Sequence, residues 1–180
     1  MRMLISVEAA LVAVLVAACT VTSVETPDPA AVPDGPLDAL VGDATGPVVE
    51  LGSGTDAGLG WRYAIYPSED GLCTQLETVE VTAGGCGDLL PAEGNAFGGV
   101  GRSETFTGGV TAVEGIVTDE TVTVWLVNEG GFRMPAQLMP LDVASLEGQA
   151  FLAFVPPDVV ISHVQAVAFS GEVLETYELP

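Results

Sequence analysis

From Trp61 to Leu179 the chain alternates short apolar or β-branched runs with clusters of glycine, proline and acid, a rhythm of short strands and turns rather than helices. Trp61, Tyr63 and Ile65 alternate with Arg62, Ala64 and Tyr66, and Pro67 followed by Ser68-Glu69-Asp70-Gly71 closes that strand in turn chemistry. Leu72 to Val81 reads as the next strand, Asp88 to Gly101 as mostly loop, and Ser103 to Thr107 as a short strand. Val110 to Val117 and Thr121 to Asn128 read as the core hairpin, the second strand apolar on both faces and therefore interior. Phe132 to Gln137, Ala150 to Val155, Val159 to Phe169 and Glu172 to Leu179 complete the set, the last two joined by Ser170-Gly171.

The other apolar run, Ala9 to Ala18, is unlike these. It follows the short stretch Met1-Arg2-Met3 and ends in small residues, as an export signal does. Spanning hydrocarbon takes roughly 20 apolar residues, and this stretch is shorter and contains Glu8, so it does not read as a membrane span. Val16-Ala17-Ala18-Cys19 resembles the lipobox of bacterial lipoproteins. That resemblance implies cleavage before Cys19, an acyl group on Cys19, and attachment to the extracytoplasmic face of the cell membrane. Residues 1–18 are then the signal, and 19–47 form a tether rich in proline and aspartate with no sustained apolar period. Residues 48–180 make one folded body.

Charge narrows the choice of partner. The chain has twenty-five acidic residues against four arginines and no lysine, a net charge of −21. Phosphate binding needs a basic footprint, so a nucleic-acid partner is not expected. Attachment to anionic lipid by charge is disfavoured too, which leaves the acyl group as the link to the membrane. Cys73 and Cys86 are expected to form a disulfide in an oxidising compartment. A metal site fails on ligand count, because neither cysteine has a second cysteine or histidine nearby and the chain has a single histidine, His163.

Candidate chemistry is sparse. Val48-Val49-Glu50-Leu51-Gly52-Ser53-Gly54-Thr55 resembles the first motif of Rossmann-type methyltransferases, but no helical period follows the glycines, so a glycine-rich hairpin loop is expected instead. Gly101-Arg102-Ser103-Glu104-Thr105 lacks the last glycine of a nucleophile elbow. His163 lies within a strand, and the acid pairs Glu69-Asp70 and Asp119-Glu120 lie in turns, where such groups are ordinarily solvated. No catalytic residue, cofactor or metal ligand is assigned.

The segments Val113-Glu114-Gly115-Ile116-Val117, Val122-Thr123-Val124 and Val164 to Gly171 resemble the strands of immunoglobulin-like domains in secreted bacterial proteins of uncharacterised role, as does the tryptophan strand followed by Leu72-Cys73 and Gly85-Cys86-Gly87. The resemblance implies an antiparallel, all-β immunoglobulin-like sandwich and no particular activity. In immunoglobulin domains a tryptophan lies between the two cysteines, whereas Trp61 precedes both here, so a local cross-link is expected. The expected role is a lipid-anchored structural or partner-binding module for a surface protein or cell-wall component. The alternatives are a cation-dependent surface domain and an acid-pair extracellular hydrolase.

Overall fold

The computed structural model describes residues 28–35, 37, 44–103, 106–141 and 146–180. The signal run, Cys19 and most of the expected tether lie outside the described residues. The body is all-β and antiparallel, with one short 3₁₀ turn at Thr107–Gly109. Its strands are β1 (Val49–Asp56), β2 (Leu59–Ser68), β3 (Gly71–Thr78), β4 (Thr82–Gly87), β5 (Phe97–Ser103), β6 (Thr111–Val117), β7 (Thr121–Val127), β8 (Arg133–Pro135), β9 (Gln137–Pro140), β10 (Gln149–Val155), β11 (His163–Ala168) and β12 (Val173–Glu178). They form three four-stranded sheets, ordered β1-β2-β3-β4, β5-β6-β10-β9 and β12-β11-β7-β8.

The second sheet is the middle layer, because its central strands supply both hydrophobic cores. Ala112 and Ile116 of β6, with Ala150, Leu152 and Phe154 of β10, pack with Trp61, Tyr63, Ile65 and Leu76 of the first sheet. The alternate residues Val113, Val117, Phe151, Ala153 and Val155 pack with Val124, Leu126, Val164 and Ala166 of the third. A strand buried on both faces cannot keep the polar alternation of a half-exposed one. The sandwich therefore has two interlayers rather than one.

This layering corrects the expected core hairpin. β6 pairs with β5 and β10, whereas β7 pairs with β11 and β8. Thr118 to Thr121 is a turn that passes the chain from the middle sheet to the third, its Thr121 N–H donating to the Thr118 carbonyl at 3.1 Å. The strand that needs cover on both faces is β6, while β7 buries Val124 and Leu126 on one side and leaves Val122 exposed. Other boundaries shift for local reasons. The expected Leu72 to Val81 strand breaks after Thr78, whose hydroxyl accepts from the N–H groups of Glu80 and Val81, so β4 folds back on β3. Most of β5 (Phe97–Ser103) falls within the Asp88 to Gly101 stretch expected to be loop, and it ends at Ser103, where a separate strand was expected to start; its glycines give no side-chain period. The Phe132 to Gln137 strand divides at Ala136 between β8 in the third sheet and β9 in the middle one.

The expected glycine-rich hairpin loop at residues 52–55 is strand instead, part of β1, and the turn falls later at Ala57-Gly58, both with positive φ. Gly54 lies directly opposite Trp61, and a Cβ there would meet the indole ring at 3.3 Å. Gly115 likewise lies opposite Phe151, where a Cβ would approach the ring to 2.6 Å. In both pairs glycine leaves room for an aromatic ring to lie across the neighbouring strand.

The described parts of residues 19–47 touch the first sheet. Gly60, one residue beyond the Trp61–Thr78 pair that ends the β2–β3 ladder, donates its N–H to the Pro29 carbonyl at 2.7 Å. Arg62 Nη1 donates to the Gly35 carbonyl at 2.9 Å while its Nη2 pairs with Glu77 at 2.6 Å. Thr45 donates its N–H to the Pro67 carbonyl at 2.9 Å.

Candidate functional site

Cys73 and Cys86 face each other across β3 and β4 and are joined by a disulfide. The bond ties edge strand β4, which contains Gly84-Gly85 and little apolar surface, to the body. It is a local cross-link, as the position of Trp61 before both cysteines implies.

Beside this strand is a cleft of about 280 Å³. Its walls come from β4 of the first sheet and from β5 and β6 of the middle sheet, so it opens between two sheet edges. Glycines 84, 85, 99, 101 and 115 line much of it; those at 84, 99 and 115 are there because a Cβ would strike Thr74, Leu89 and Phe151, while a Cβ at Gly85 would meet nothing within 4 Å. Gly101 keeps the approach to Glu114 clear, since a Cβ there would lie 3.4 Å from Glu114 Cγ.

Glu114 is the acid of this cleft, and its residue is only 6% exposed. On β6 it shares a face with Ala112 and Ile116, both members of the first core. The Tyr63 hydroxyl of β2 approaches it from the first sheet, with the Thr74 side chain of β3 beside that hydroxyl. Even so, neither Tyr63 Oη nor Glu114 Oε2 has a hydrogen-bond partner of good geometry. Burial raises the Glu114 pKa above the ordinary 4.5, and the Tyr63 hydroxyl offsets this in part. Burial, reinforced by the neighbouring carboxyl, raises the Tyr63 pKa well above 10.0, so the phenol stays protonated. The result is a carboxyl that holds its proton more tightly than a solvated one, buried at the margin of the cleft with no charged partner among the described residues.

Chemically this group can donate a hydrogen bond when protonated or pair with a cation when ionised. Among the described residues Glu114 is the one acid that lines the cleft. Glu114 is not among the candidate residues of the sequence. The signal was its position, an acid one residue from glycine within a strand otherwise made for burial on both faces.

The other candidate residues are dispersed. The Ser162 hydroxyl donates to the Val127 carbonyl at 3.0 Å, leaving its oxygen to accept from His163 Nδ1 at 3.0 Å, a bond that fixes strand β11 against β7. Glu69 and Asp70 form the β2–β3 turn, with the Asp70 N–H donating to Ser68 Oγ. Asp119, Glu120 and Glu147 border a broader depression with Asn95 and Thr118. Among the described residues no group of three or more His, Cys, Asp or Glu side chains is arranged to hold a metal ion. Ser103 lies in strand β5 at the cleft, and Glu104 and Thr105 lie outside the described residues. No protein-family model, curated protein or solved structure matches this chain.

Proposed function

We propose that this protein is exported, held on the extracytoplasmic face of the cell membrane by an acyl group on Cys19, and used as a surface module that docks a partner through its third sheet. The observation that carries the docking role is where apolar surface lies. Of the eight large hydrophobic residues exposed among the described residues, six belong to the third sheet and its connections: Val122, Phe132, Val160, Phe169, Val173 and Tyr177. Scattered apolar residues are ordinary on a soluble surface, but grouping is informative. The strand register puts Phe169 beside Val122 and Val173 at one end of the sheet, and Phe132 with Val160 toward the other. Phe169 is 93% exposed and Val160 73%, so neither contributes to the core.

Export is supported by the residues before Cys19 and by the Cys73–Cys86 disulfide, which suits an oxidising compartment. Two experiments test the reading. Mass spectrometry of the mature N-terminus is expected to find an acylated cysteine, and Cys19→Ser is expected to release the protein from the membrane. A photocrosslinker at position 169 should give one discrete adduct in living cells, lost when Val122 and Val173 are both changed to Ser. An unmodified terminus elsewhere refutes the anchor, and an adduct pattern indifferent to those substitutions refutes the docking surface.

A further inference from the structure

The cleft at Glu114 lies away from the third sheet and calls for a ligand of its own. We propose that it is a binding site for a small organic cation, a primary ammonium that pairs with the Glu114 carboxylate while its carbon chain lies along the glycine-lined wall.

A buried carboxyl is tolerated when it is paired or when it keeps its proton. Among the described residues Glu114 has no counter-ion. The titratable or charged groups that face it are Tyr63 from β2 and, at the rim, Arg102 of β5, which has an interaction of its own. β3, β4 and β10 present Thr74, the disulfide-bonded Cys86 and Leu152 there, none of which carries charge. Oε2 is sealed inside the body with the Tyr63 hydroxyl, whereas Oε1 lies on the Gly101 side and is the oxygen a donor in the cleft would meet. A ligand that brings N–H donors and a positive charge can donate to Oε1 and offset the desolvated anion together.

Charge selects the sign of that ligand. With a net −21 the protein concentrates cations at its surface and repels anions. A calcium ion would need about 6 to 8 oxygen ligands, and a single carboxyl in the cleft does not begin to supply them. An ammonium needs few partners. Room is available too: a Cβ at Gly85 would meet nothing within 4 Å, and Gly101 leaves the way to Glu114 open.

Binding is linked to a proton. Glu114 enters the complex ionised, so it gives up its proton to solvent while the amine keeps its own. Burial raises the pKa of the free carboxyl, so affinity for the ammonium must rise with pH across the interval where Glu114 would otherwise be protonated.

The experiment uses the full-length chain in detergent and three probes of similar length: n-butylammonium, neutral 1-pentanol and anionic pentanoate. Amide NMR shifts at residues 99–103 and calorimetry in buffers of different ionisation enthalpy follow binding. The expected result is saturable binding of butylammonium alone, with proton release and affinity rising by up to tenfold per pH unit below the Glu114 ionisation. Glu114→Gln should weaken binding at least tenfold while remaining folded. Gly85→Leu, at a lining position where a Cβ meets nothing within 4 Å, should also weaken binding with the melting temperature unchanged. Equal binding of pentanol or pentanoate, affinity that falls as pH rises, affinity unaffected by Glu114→Gln, or no saturable binding at all would each overturn the proposal. None of these outcomes bears on the third sheet, so the docking surface stands or falls separately.

Discussion

The two interlayers of this protein are built on opposite faces of the same strands, and they are not alike. On the third-sheet side, β6 and β10 present Val113, Val117, Phe151, Ala153 and Val155 to an apolar partner face. On the first-sheet side the same β6 presents Ala112, Glu114 and Ile116, so a carboxyl faces the Tyr63 hydroxyl where a methyl group would have packed. Moving one residue along a strand changes the face and with it the chemistry. The cluster in the first of these layers is apolar throughout, whereas the other buries a titratable group at the margin of the edge cleft.

If the apolar interlayer is the structural one, damage there is the most costly. Phe151→Ala removes a ring that lies over Gly115 and stacks edge-on with Phe97 at 6.0 Å. A loss of about 3 to 5 kcal/mol is expected, read by urea unfolding. A loss below about 1 kcal/mol would mean that this layer is loosely packed and the contrast between the layers is false.

The disulfide bears on the opposite side, because it secures the strand that walls the cleft. Cys73→Ser combined with Cys86→Ser is expected to cost about 3 kcal/mol by the loop-closure estimate. The NMR signals of residues 83–86 should broaden more than those of β11. Uniform broadening over the whole body would show that β4 is not a separate element of the cleft.

A smaller effect is expected where the third sheet reaches back to the middle one. The Glu175 carboxylate accepts from the N–H groups of Ala96 and Phe97 at 2.6 and 2.9 Å. Glu175→Ala leaves both donors unsatisfied beside the apolar layer and should cost about 2 kcal/mol. Glu175→Gln, which retains an acceptor oxygen, should recover part of that loss. Equal losses for the two substitutions would place the effect in packing rather than in the hydrogen bonds.

Much of this architecture could be read from the chain, and the exceptions have physical causes. The alternation of Trp61, Tyr63 and Ile65, and the hairpin across Ser170-Gly171, marked strands because their side chains carry a period of two. β1 and β5 escaped because glycine gives no such period, and glycine is there to admit Trp61 in one case and the Leu89-Leu90 segment in the other. The exchange of β7 between sheets was not legible because pairing partners are set by both cores at once, and the local turn chemistry of Thr118 to Thr121 suits either path. Glu114 was hidden by the same double burial. Sequence alone does not say which face of a doubly covered strand keeps an opening to water.

The effect expected to be smallest on total stability is also the one that separates the layers most cleanly. The folded protein holds the Glu114 proton more tightly than the unfolded chain, so it binds more protons across the interval between the two ionisations. That contribution is fully present below the ordinary carboxylate range and is lost as pH rises through the raised folded-state ionisation. Glu114→Gln should therefore match the unsubstituted protein at low pH and exceed it above that ionisation, read by melting temperature across pH.

The most direct measurement is the titration of the Glu114 carboxyl carbon by NMR in the full-length chain. The ionisation is expected above the ordinary 4.5, because the group is buried beside Tyr63 with no counter-ion among the described residues. A midpoint at or below 4.5 would show a charge already satisfied within the protein, and the first interlayer would then be as closed as the second.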